Sequence, residues 1–274
     1  MCPSGLPVFS RAGRAFDEIP VGEYTIGLEP AEAERAAAAH AERIKKEFFL
    51  NATPAHPVRI ERLGIARSHV SGADFEIFAR ETGYRTLAEV EGWAWTWERG
   101  WVKRAGLCWR APFGTEADKN FLDRYSDFPA LQLSWNDAVR YCEWRASREG
   151  MLIRLPREAE YEAWLRRSGV RSVVDAGGGE PGPARTVEEF LELLERASES
   201  REGYRPPGLV WEWTADWFDA YPGGVPGREF GATYKVLRGG SLMSDVAQRG
   251  REYRFRRCPT ARSPFYGFRF AIRL

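Results

Sequence analysis

The chain is poor in the residues that build metal and disulfide centres: four cysteines and three histidines in 274 residues. Cys2, Cys108, Cys142 and Cys258 form no CxxC pair and show no metal-ligand spacing, so no thiolate metal site is legible. Four thiols in a chain of this length do not make a disulfide scaffold either, and reduced thiols in the cytoplasm are the expectation. Charge of one sign is also lacking: 40 Lys+Arg stand against 39 Asp+Glu, net +1. Bulk charge therefore gives no case for a nucleic-acid or acidic partner. No apolar run is long enough to cross a membrane. The first twenty residues scatter their charges and contain no apolar core of a signal peptide. A P-loop, a GxGxxG after a strand and a GxSxG elbow are all missing. Gly177 to Gly179, followed by Glu180 and Pro181, suits a flexible loop rather than a phosphate cradle. The expectation is a soluble cytoplasmic protein without membrane or nucleic-acid partners.

Aromatic residues, by contrast, are abundant: 14% of the chain, with 11 Trp and 16 Phe. Large aromatics carry much of any core they join. "IPVGEYTIGLE" alternates like a first strand. "PAEAERAAAAHAERIKKEFFL" is rich in helix formers behind an initial Pro, with His40 inside the helix. "HPVRIERLGIA" returns to a strand pattern. "SGADFEIFARETG" predicts a helix capped by Ser71 and stopped by Gly83. The Trp-dense "YRTLAEVEGWAWTWERGWVKRAGLCWRAPFG" is expected to fold as long loops stapled to the core. "LSWNDAVRYCEWRASREG" is the clearest helix. In "LIRLPREAEYEAWLRRSG" a short strand precedes a helix opened by Pro156. A helical insertion is expected at about 175–205, its helix running from Thr186 to Ser200 behind a capping box formed by Thr186 and Glu189. "LVWEWTADWF", "YKVLRGGSL" and "FYGFRFAIRL" read as short strands and turns. No internal repeat is visible, and the pattern implies an α+β fold built as one domain over residues 1–274.

Six segments, in order, carry a resemblance: "IPVGEYTIG", "LSWNDAVRYCEW", "IRLPREAEYEAW", "VWEWTADWF", "VLRGGS" and "YGFRFA". Together they resemble the formylglycine-generating-enzyme (sulfatase-modifying-factor) family over nearly the whole chain. The resemblance implies a C-type-lectin-like fold of short antiparallel strands, flanking helices and irregular loops. Gly239 and Gly240 allow a turn that side chains would block. Arg238, Arg254, Arg256, Arg262 and Arg269 are expected to fix loops by bonding carbonyls and carboxylates, with Glu212 and Asp216 as their acids.

The family's oxidases hold copper through two cysteines shortly after the RGGS turn, and soft thiolates are what Cu(I) needs. Those positions fall here at Ser244 and Arg249, and Cys258 stands off register. No catalytic residue and no metal ligand is therefore assigned; a redox metal is not expected, and calcium is left open. Leu209 stands where the family often has Asn, which weakens one calcium site. The sequence also resembles the variable proteins of diversity-generating retroelements, with a framework of Arg254, Arg256, Pro259, Arg262 and Gly267-Phe268-Arg269. The expectation is a non-oxidase domain that binds a protein or small-molecule ligand at its C-terminal face. The residues assigned to that face are Leu242, Met243, Ser244, Asp245, Gln248, Tyr253, Phe255, Arg257, Ser263 and Phe265. The alternative is an iron- or copper-dependent oxidoreductase of the same family working through other residues. A further alternative has the helix Thr186 to Ser200 docking a partner.

Overall fold

A computed structural model of the chain describes residues 16–168, 182–199, 206–251 and 253–274. Several helices begin where a short polar side chain satisfies first-turn N–H groups. Ser71 accepts from the Asp74 N–H at the start of Gly72–Thr82, and Gly83 ends that helix at φ 67°. Ser134 starts Trp135–Glu149 in the same way, with Asp137 reaching back to it. Both agree with the sequence reading. The single helix expected over residues 30–50 is instead two, Pro30–Ala39 and Lys46–Leu50, and His40 is the C-cap of the first. The intervening turn lets both pieces bury a face: Ala33 and Ala37 from the first, Ile44 from the turn, Phe49 from the second.

One sheet has the order Phe16–Ile19, Leu63–Ala66, Ala271–Arg273, Ile153–Arg154, all antiparallel. A second runs Phe255–Arg257, Lys235–Arg238, Trp211–Trp217, Tyr266–Gly267, its last pair parallel. Two further pairs join Gly22–Ile26 to His56–Ile60 and Trp93–Trp97 to Trp101–Ala105. The strands expected at 19–29 and 56–66 are each cut in two, because their halves join different sheets.

The Trp-dense segment is more regular than expected. Thr86 caps a short helix, Leu87–Glu91, and Gly92 stops it at φ 74°. A hairpin follows, turning at Arg99 with φ 58°. Its strand Trp93–Trp97 alternates as a half-buried strand must: Ala94 and Thr96 face inward, while Trp95 is 40% exposed.

Most buried apolar side chains form one large cluster. A second gathers Phe113, Phe121, Leu242 and Phe265 around the helix Val187–Glu199, which contributes Val187, Phe190, Leu191 and Leu194. The apolar face of that helix is thus part of the core and not free to dock a partner. Thr186 accepts from Glu189 N–H as expected, whereas the Glu189 carboxylate takes Arg185 N–H. The Gly/Pro-rich flanks of the expected insertion, residues 169–181 and 200–205, lie outside the described residues.

Buried carboxylates hold the arginine-rich C-terminal segment. Glu212 meets Arg269, His69 and the Tyr161 hydroxyl. Arg238 and Arg254, however, take their acids from the helix Glu158–Ser168. Glu158 accepts from Arg254 at 2.7 and 2.8 Å and from Arg238 at 3.1 Å, and Glu162 accepts from Arg238 at 3.1 Å. The expectation that Asp216 pairs with an arginine is corrected: it accepts from the Glu158 N–H, where it satisfies the opening turn of that helix. Arg262 pairs with Glu91 and Arg256 with Glu229.

Burial raises the pKa of the Glu212 carboxyl, but the charges of Arg269 and His69 outweigh it and bring it to about 2, against an ordinary 4.5. A depressed folded value contributes stability above the unfolded value, and that contribution is lost as pH falls through the folded one. Unfolding midpoints measured across the acid range should therefore drop between about pH 4.5 and pH 2, and Glu212→Gln should flatten that slope. Removing Glu158 leaves two buried guanidiniums short of a partner. Glu158→Ala should cost about 3–5 kcal/mol by urea denaturation. Glu143→Ala, at an exposed ion pair with Arg140, should leave the midpoint where it is.

Candidate functional site at the Gly239-Gly240 turn

The strand Lys235–Arg238 ends in two glycines, both in left-handed backbone with φ of 91° and 75°. Side chains are excluded there by contact as well as by φ. A Cβ on Gly239 would lie 2.6 Å from the Tyr161 hydroxyl, and one on Gly240 2.7 Å from Arg249 Cα. The chain then turns tightly: Ser244 N–H donates to Ser241 O at 2.9 Å, and the two hydroxyls are 3.0 Å apart. Asp245 caps the short helix Val246–Arg249 by accepting from Ala247 N–H.

That helix returns Arg249 to the turn. Its Nε donates to Ser241 O at 3.1 Å and Ser244 O at 3.2 Å, and its Nη2 donates to Leu242 O at 3.1 Å. Arg249 is 2% exposed. The guanidinium thus occupies the inside of the turn and bonds three carbonyls, of which Ser241 O also accepts from Ser244 N–H and Leu242 O from Ala184 N–H. Ser244 and Arg249 are the positions that the resemblance gives to the copper cysteines. A hydroxyl and a permanent cation do not fit Cu(I), which takes soft thiolates.

Other ligand sets fit no better. Cys258 is exposed, Cys108 is half-buried, and Cys142 lies in the core, where burial pushes its thiol pKa up. The histidines keep separate company: His40 meets Arg43, His56 meets Pro54 O, and His69 meets Glu212. Among the described residues no group of three or more His, Cys, Asp or Glu could hold a metal. Leu209, at the doubtful calcium position, buries its side chain in the second cluster, and its carbonyl accepts from Leu242 N–H.

Beside the turn opens a cleft of about 610 Å³. Of the residues predicted for the C-terminal face, Met243, Ser244, Gln248, Phe255, Arg257 and Phe265 line it. Tyr253 lines an adjoining groove with Phe48 and Arg256. Leu242 is 1% exposed in the core, because the turn points it inward. Ser263 is also buried, its carbonyl accepting from Gln132 N–H. Asp245 is engaged by Arg43 as well as by its helix. These last three are placed away from the cleft.

The opposite wall comes from residues not predicted: Trp97, Arg99 and Trp101 of the hairpin, and Arg185 ahead of the helix Val187–Glu199. Ring contacts are continuous from Trp97 to Trp101 at 5.4 Å, to Phe265 at 5.9 Å and on to Phe190 at 5.0 Å. Trp211 stacks on Phe255 at 4.6 Å. The alternation of Trp93, Trp95 and Trp97 was the available signal for the hairpin.

The sulfatase-modifying factor enzyme 1-like domain family matches residues 15–274. The chain belongs to that family. It is 28% identical over 272 residues to a formylglycine-generating enzyme of Mus musculus, covering 82% of this chain and 65% of that protein's length. Among solved structures, PvdO from Pseudomonas aeruginosa superposes with a TM-score of 0.62 at 19% identity, covering 94% of each chain. Treponema denticola variable protein 1 superposes with a TM-score of 0.52 at 16% identity, covering 94% of this chain and 95% of that one. At such identities the structural likeness bears on fold alone: an α+β, C-type-lectin-like fold with short antiparallel strands.

In this family member the turn depends on Arg249. Arg249→Met should leave the Ser244 carbonyl short of its donor, at about 1–3 kcal/mol, while the Ser241 and Leu242 carbonyls keep the Ser244 and Ala184 N–H groups. Urea unfolding of the variant against the parent chain measures the loss.

Proposed function

We propose that this family member is a ligand-binding domain without cysteine-oxidase chemistry, and that its ligand sits in the cleft beside the Gly239-Gly240 turn. The observation that carries the reading is Arg249, whose buried guanidinium is held by Ser241, Leu242 and Ser244 carbonyls where the oxidases need a thiolate. A cation there repels a metal ion electrostatically, and the Ser244 hydroxyl offers no soft donor.

The cleft has the composition of a binding site: an apolar, aromatic lining with few polar groups placed among it. Trp, Tyr and Arg are also the residue types that dominate binding hot spots. The variable-protein reading draws support from the same geometry. Framework residues Arg254, Arg262 and Arg269 are buried and ion-paired. Met243 and Gln248, ahead of them in sequence, and Phe255 and Arg257, between the first two, line the cleft. Changing those four would alter the cleft and leave the buried pairs intact, as a diversified binding protein requires.

The purified chain, incubated with a cysteine-containing peptide, copper and oxygen, should leave the cysteine unchanged by mass spectrometry. Conversion to formylglycine would overturn the reading.

A further inference from the structure

Three arginines reach the cleft from three separate parts of the chain: Arg99 at the hairpin turn, Arg185 ahead of a helix and Arg257 on the strand Phe255–Arg257. No Asp or Glu lines the same cleft. Many arginines elsewhere in this fold are met by acids: Arg43 by Asp245, Arg104 by Glu98, Arg124 by Glu195, Arg154 and Arg157 by Glu160. Arg99, Arg185 and Arg257 have no carboxylate partner among the described residues. The nearby acids are engaged elsewhere, Glu98 by Arg104, Glu189 by the Arg185 N–H, and Asp245 by Arg43.

Arg257 is also held in place. Its guanidinium lies 4.1 Å from the Phe255 ring centre and donates to Arg256 O at 2.9 Å. The same cleft is lined by Trp97, Trp101 and Phe265, whose rings are in contact. Guanidiniums that line one cleft with no carboxylate in its lining give it a positive potential, which an anion relieves. Planar aromatic walls recognise a flat apolar body.

Resting on the binding reading above, we infer that the cleft selects a small planar anion: an aromatic ring bearing a carboxylate or phosphate. The anionic group meets Arg99, Arg185 and Arg257, whose planar donors suit either oxyanion. The ring lies against Trp97, Trp101 and Phe265. A neutral molecule of the same shape keeps the ring contacts and forfeits the charged ones.

Isothermal titration calorimetry of the full chain at low ionic strength tests this with three probes: 1-naphthoate, 1-naphthyl phosphate and the neutral 1-naphthamide. The two anions should bind at least about tenfold more tightly than the amide, the loss expected for one charge-assisted hydrogen bond. The double variant Arg99→Gln/Arg185→Gln should lose that preference for the anions and leave amide binding unchanged. Both residues are exposed, so the variant retains its fold, which its thermal unfolding curve verifies. Equal binding of anion and amide would overturn the anion assignment while leaving a ligand-binding cleft. Anion binding that ignores the double variant would overturn the site, and no binding by any probe would overturn the planar-anion class. The non-oxidase reading stands or falls separately, on the cysteine-peptide assay.

Discussion

A guanidinium keeps its proton under all ordinary conditions, so once buried it must be met by oxygens. That constraint organises this fold. The helix Glu158–Ser168 and the strand Trp211–Trp217 supply Glu158, Glu162 and Glu212, which fix Arg238, Arg254 and Arg269 on three different strands or loops. Short strands with few ladder bonds are thereby tied into one arrangement. Such pairs are costly to break, though no guide to net stability against an apolar replacement.

The same rule shapes the site. Arg249 is buried, and carbonyls of Ser241, Leu242 and Ser244 receive it. The Gly239-Gly240 turn makes room, since any side chain on Gly240 would collide with Arg249 itself. A position that serves thiolate chemistry in relatives thus becomes a structural bolt here. The neighbouring cleft, where we place the ligand, is lined by Arg99, Arg185 and Arg257, none of which has a carboxylate partner among the described residues.

Local signals were legible wherever they were self-contained. Ser71, Gly83 and Ser134 mark their helix ends by capping chemistry that needs no tertiary partner. The ordered motifs from "LSWNDAVRYCEW" to "YGFRFA" carried the family and the fold. Partner choice was not legible: nothing in "REAEYEAW" says that Glu158 and Glu162 face inward together, since i and i+4 share a face whether buried or solvated. The hairpin Trp93–Ala105 was hidden by aromatic density, although its alternation was present. In the C-terminal segment, sequence neighbours at a tight turn differ in burial, Leu242 enclosed and Met243 partly exposed in the cleft, so half-exposed and buried positions could not be told apart.

The central claim is that Ser244 and Arg249 leave no copper site at the turn. Competition for Cu(I) between the full chain and a chromophoric chelator tests it most directly. The account predicts that the chain withdraws no copper in a manner sensitive to Ser244→Ala. Withdrawal of about one copper per chain, lost on Ser244→Ala, would contradict it.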